Sequence, residues 1–262
     1  MRWLLTPRWL VAHVVVLVVA TVFVNLGFWQ LRRLEERRLT NTVGESRFAS
    51  DPVELGQMLL GAGPDLESLE YHRATFTGVY QPEHEVLIRS QVRQGTAGFH
   101  VVTPLLREDD TAVLVNRGWV PLGLDEVPVS EAAPPGGEVT IEGWVRPTQT
   151  RPTLGPRDPE TGRLSIMSRV DIDRIREQVP FELDPVYLSL LGEQDAGQPL
   201  LVTAPRFDDE GPHLAYAIQW FAFTMIGVIG YYALIRRSAK GSHRGGKGQV
   251  VDQLEPVEPH QL

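Results

Sequence analysis

His213 to Arg237 reads HLAYAIQWFAFTMIGVIGYYALIRR, and Leu214 to Ile235 within it carries no charged side chain. At about 1.5 Å of rise per residue a helix of that length covers about 30 Å, the hydrocarbon thickness of a bilayer. The upstream end offers His213, Tyr216, Gln219 and Trp220, and the downstream end Tyr231, Tyr232 and Arg236-Arg237. Aromatic belts flanked by cations fix the depth of a membrane helix, so the stretch predicts a transmembrane helix over 213–236. The competing reading is a long buried helix of a soluble core, but core helices rarely run this far without a charge.

His213, Tyr216 and Trp220 stand at i, i+3 and i+7 and share one helix face near one membrane surface. An interfacial histidine serves as an anchor, as a hydrogen-bond partner or as an axial ligand to haem iron. Spacing leaves all three open.

A second apolar run, Trp9 to Trp29, is bracketed by tryptophans and predicts a first span over 9–30. It is longer than the apolar region of a signal peptide and no small-x-small cleavage site follows, so it reads as an uncleaved anchor. His13 lies one turn from its start and Asn25 about one turn from its end. If the two spans form a hairpin, Asn25 and Gln219 lie at similar depth and are expected to hydrogen-bond across it. Arg236, Arg237, Lys240, Arg244 and Lys247 follow the second span, against Arg206 just before it. The first span is ambiguous, with Arg2 and Arg8 before it and Arg32, Arg33, Arg37 and Arg38 after it, so the second span decides: both termini are expected in the cytoplasm and the intervening segment, 31–212, outside the cytoplasmic membrane.

The segment opens with QLRRLEERRL, a helical continuation of the first span. Residues 51–70 predict a short helix with Asp51 as N-cap and Pro52 at its first position. Alternating or β-branched runs predict strands over 71–80, 85–92, 99–105, 112–120, 139–147, 185–191 and 199–205, with a short helix over 171–178. The fold class is therefore an α+β membrane protein. A two-helix transmembrane hairpin encloses an extracytoplasmic, mainly antiparallel β domain, a small barrel or a sheet with short helices. Residues 237–262, Gly-rich and then acidic with prolines, read as a disordered cytoplasmic tail.

Net charge of −8 argues against a nucleic-acid partner and leaves the lipid bilayer as the evident one. The absence of cysteine removes disulfides, thiolate metal sites and CxxC redox chemistry. No nucleophile elbow, HExxH, P-loop or dinucleotide fingerprint occurs, which disfavours an anchored hydrolase. His72, Glu83, His84 and Glu85 are the nearest approach to a metal cluster. In a strand, however, Glu83 and Glu85 would face away from His84, so exposed sheet positions are the simpler reading. In Asn116-Arg117-Gly118-Trp119-Val120-Pro121, Gly118 suits a backbone angle that other residues avoid. Arg117 can grip a carboxylate, from a partner, from a haem propionate or from within its own domain.

Leu26-Gly27-Phe28-Trp29-Gln30 with Arg33, Tyr71-His72-Arg73 with Gly78, Gly98 to Leu105, Val113 to Pro121, and His213 to Tyr216 with Gln219-Trp220-Phe221 occur in that order. The ordered set, covering about residues 10 to 236, resembles the surfeit locus protein 1 family, assembly factors for haem–copper cytochrome c oxidase. The resemblance implies a membrane-anchored factor without catalytic turnover. It would work with oxidase subunit I and other assembly factors and help haem a, transiently held, to enter subunit I. Some bacterial members look like haem a binders through the histidine that opens the second helix, which here is His213. The expected cofactor set is His213 at the haem iron with Tyr216, Trp220, Trp29, Arg33 and Arg117, and Arg32 or Arg33 is positioned for the propionates. The rival is a structural scaffold or accessory subunit of the oxidase with no haem contact. The arginine-rich loop 151–163 and the tail lie outside the resemblance.

Overall fold

The computed structural model describes residues 2–150, 155–192 and 204–244. Two compact units are present, one formed by residues 1–39 with 210–262 and the other by residues 40–209.

The first unit is a pair of helices. Helix α1 runs from Pro7 to Phe48, continuous through the basic stretch after Trp29, and helix α4 runs from His213 to Arg244. Residues Arg237 to Arg244, expected in a disordered tail, are helical instead. A helix already nucleated propagates at little cost when no proline intervenes, and none does before Pro256. The rest of that tail, 245–262, lies outside the described residues.

The helices pack antiparallel. His13 meets Tyr231, Phe23 meets Trp220 with ring centroids 5.2 Å apart, Phe28 meets Phe221, and Gln30 meets His213. On α1 the packed positions Phe23, Gly27, Gln30 and Leu34 recur at helical spacing and so form one stripe. Gly27 is required there, because a Cβ would fall 2.6 Å from the Phe221 ring. Val11, Leu17, Met225, Ile226 and Ile229 all point outward, each more than half exposed. The most apolar windows of the two helices are only 6% and 0% buried, so neither is a core helix; both are long and apolar enough to cross a membrane. Asn25 is not in the packed stripe. At about 100° per residue it sits roughly 200° from Phe23, and its amide donates to the Thr21 carbonyl of its own helix at 2.8 Å rather than to Gln219.

The second unit is an eight-stranded sheet. Its strands are β1 (Val53–Glu54), β2 (Arg73–Tyr80), β3 (Val86–Arg93), β4 (Thr96–Leu106), β5 (Thr111–Pro121), β6 (Glu138–Pro147), β7 (Ile166–Met167) and β8 (Glu182–Leu191). The order is β1-β2-β6-β8-β5-β4-β3-β7, and an added β2–β4 pairing closes β2, β6, β8, β5 and β4 into a small barrel. Most neighbours are antiparallel, but β1–β2, β3–β7 and β5–β8 are parallel. Phe76, Leu105, Val113, Val115, Val145 and Leu188 fill the barrel, and Leu55 of helix α2 (Leu55–Ala62) packs on them. A second core sets Val102 and Leu114 against Ile172 and Ile175 of helix α3 (Ile172–Arg176), which Asp171 caps.

The expected helix over 51–70 is replaced by β1, α2 and a 3-10 turn. Val53 and Glu54 are drawn into register with Ala74 and Thr75, so the cap is Glu54, accepting from Gln57 N, and not Asp51. Of the expected strand 199–205, residues 199–203 lie outside the described residues and 204–205 are not in a strand.

Candidate functional site

Helix α4 begins at His213, just after Gly211-Pro212. Gly211 has φ +68°, a left-handed conformation glycine adopts without strain, and this turns the chain into the helix. Glu210 is held by Arg38, whose Nε and second guanidinium nitrogen donate to the two carboxylate oxygens at 2.8 and 2.9 Å. The histidine ring is oriented by Gln30, a buried amide on α1: Nδ1–H donates to Oε1 at 2.9 Å. This bond fixes the tautomer and leaves Nε2 with its lone pair, the form in which imidazole ligates a metal.

Around this ring the expected site residues divide. Trp29 and Tyr216 are 44% and 47% exposed. Seen from this end of the pair, Trp29 and Arg33 lie about 100° and 60° clockwise of Gln30, and Tyr216 falls on the same side of the pair. The Arg33 guanidinium stands 5.9 Å from the Trp29 ring and donates to Glu36 at 3.0 Å. Trp220 is committed to packing against Phe23 and Phe223. The opposite end of the pair carries a second histidine, His13, whose Nδ1 lies 2.6 Å from the Tyr231 hydroxyl beside Trp9.

Arg117 does not join them. Between Val101 and Val102 the β4–β5 ladder slips by one residue: Gly118 pairs with Val101 and Asn116 with Val102, leaving Arg117 as the extra residue of a bulge. Gly118, with φ +126°, supplies the angle the bulge needs. The turn drives Arg117 into the interior, 4% exposed, against Glu85 at 3.3 Å and the Ala132 carbonyl at 2.6 Å. It grips a carboxylate, but one of its own domain. Glu85, expected at an exposed sheet position, is 2% exposed, because Pro82–His84 form a 3-10 turn and not a strand. Among the described residues no three His, Asp or Glu side chains gather as a metal site.

The SURF1 family model matches residues 17–225. The chain belongs to the SURF1 family. An uncharacterised SURF1-like protein of Mycobacterium tuberculosis (strain H37Rv) is 30% identical over 265 residues, covering 97% of this chain and 95% of the relative. The SURF1-like protein of Rickettsia felis is 26% identical over 235 residues, covering 86% and 97%. That of Caenorhabditis elegans is 25% identical over 243 residues, covering 85% and 73%. For this SURF1 family chain the residue that sequence reasoning missed is Gln30. The signal was present: in an antiparallel hairpin that sets residue 25 level with 219, residue 30 falls level with 214, next to His213.

Proposed function

We propose that this protein is an assembly factor for haem–copper cytochrome c oxidase that holds haem a through His213 Nε2 and passes it to subunit I. The observation that carries the reading is the Gln30–His213 hydrogen bond, which presets the ligating tautomer. Haem a, if bound, would supply an iron that the His213 imidazole would hold. Gln30 holds the ring in place. Trp29 and Tyr216 offer exposed aromatic faces beside it, and Arg33 offers a cation for a propionate in exchange for Glu36. A single protein ligand at the end of a helix suits transient holding and release, and the reading needs no catalytic turnover.

The same reading puts α1 and α4 across the cytoplasmic membrane. Both termini then lie in the cytoplasm, and the β unit lies outside, supported by the basic residues after Ile235. Labelling that found residues 40–209 on the cytoplasmic side would overturn this orientation. The haem reading is tested by the visible spectrum of detergent-extracted protein from cells making haem a. Wild type is expected to show haem a absorbance and His213→Ala to lose it. The outward apolar surface of both helices favours the second reading, a scaffold that docks by helix packing. A haem-free wild type that still supports oxidase assembly would select it.

A further inference from the structure

The β unit contains a cavity of about 220 Å³, walled by Arg93, His100, Asn116, Trp119, Trp144 and Arg146 among others, with no acidic residue in its lining among the described residues. Among the described residues three of these side chains carry a buried N–H group with no acceptor: Trp144 Nε1, one terminal guanidinium nitrogen of Arg93, and Arg146 Nε. A buried donor without a partner is costly, and a charged one more so. The Arg146 charge is partly neutralised by Glu70, whose carboxylate lies 3.5 Å from its Nε without making a hydrogen bond.

His100 is set as a donor too. Asn116 Oδ1 accepts from the Gly118 N–H at 3.1 Å, so its amide nitrogen turns to His100 Nδ1 at 3.2 Å. That bond makes Nδ1 the acceptor and puts the ring proton on Nε2. The neutral ring accords with its surroundings, since burial, and then Arg146, push His100 down to about 4. Water, which must donate as often as it accepts, suits such a lining poorly. A group with several lone pairs and a negative charge suits it well.

We propose that this cavity binds a small oxyanion, a carboxylate or phosphate, with Arg93 and the Trp144 N–H as its principal donors and the Trp119 and Trp144 rings as walls for any apolar part attached to it. The site does not depend on the haem reading.

The test uses the full chain in detergent, titrated with inorganic phosphate, with acetate, and with dihexanoyl phosphatidic acid below its micelle concentration. Sodium chloride at matched ionic strength is the blank, and tryptophan fluorescence and thermal shift are the readouts. The expectation is saturable binding of at least one oxyanion, weakened about tenfold or more in Arg93→Gln. Trp144→Phe, which keeps an aromatic ring but removes the N–H, should weaken it similarly with unchanged far-UV dichroism. Tighter binding of the lipid than of phosphate identifies a tethered headgroup, and the reverse identifies a free ion. No response beyond the chloride blank, or equal affinity in both variants and wild type, overturns the proposal.

Discussion

Glu85→Ala should be among the most damaging single substitutions in the β unit. Glu85 Oε2 accepts from Thr103 Oγ1 at 2.7 Å and from Arg117 at 3.3 Å, and Oε1 accepts from Val129 N at 2.9 Å. Burial pushes Arg117 below its ordinary range, and the Glu85 carboxylate is the chief opposing influence. Removing it leaves a buried guanidinium with only neutral contacts, the Ala132 carbonyl, the Thr103 hydroxyl at 3.5 Å and the Tyr80 ring, 5.4 Å away. Breaking one half of a buried ion pair costs about 3–5 kcal/mol, which for a unit of this size lowers Tm by roughly 6–20 °C. Glu85→Leu with Arg117→Met removes both charges. It orphans the Thr103 hydroxyl and the Val129 N–H, at about 1–3 kcal/mol each, but leaves no buried charge, so it should cost less than the two single losses added together. Thermal unfolding in detergent, followed by tryptophan fluorescence, compares Glu85→Ala with wild type and measures the cycle of wild type, Glu85→Leu, Arg117→Met and their double variant. A loss below about 1 kcal/mol for Glu85→Ala, or single losses that simply add in the double variant, would refute the argument.

Burial raises Asp184 to about 6, its folded value lying above the unfolded one. The stabilisation from its neutral form is therefore present below about pH 4 and lost as pH rises through 6. Asp184→Asn should add up to about 3 kcal/mol at pH 7.5 and almost nothing at pH 4, by denaturant titration at both. His100 has the opposite sign: its folded value lies below the unfolded one. Its stabilisation is complete above about pH 6.5 and drains away toward pH 4, by up to about 3 kcal/mol, and His100→Asn should flatten that part of the profile. On the proposed haem reading, Gln30→Leu should reduce haem a content by about tenfold, the lower end expected for losing an outer-shell partner, with the spectrum of extracted protein as readout. Gly27→Leu should force the helix pair apart at Phe221, seen as loss of a disulfide crosslink engineered elsewhere along the pair.

Charge-free runs and alternation made the two apolar helices and most strands legible, because both signals are local. Rotation about a helix axis was not. The expected pairing of Asn25 with Gln219 had the depth right and the face wrong, since two residues along α1 turn a side chain most of the way round. Gln30 escaped notice for the same reason. Arg117 and Glu85 were legible as chemistry but not as partners, because the bulge that turns the arginine inward exists only once β4 and β5 pair. The short strands β1 and β7 carry too few residues to alternate, and the parallel β5–β8 contact joins segments far apart in the chain.

Gln30 and His213 are separated by 183 positions. A ribosome adding about 5–20 residues per second takes about 10–40 s to travel from one to the other. Throughout that interval the amide of Gln30 must satisfy itself with lipid, water or another protein, and the groove beside Gly27 stands empty. The hairpin is thus among the last things this chain makes, and whatever shelters the first helix meanwhile has a stake in its biogenesis.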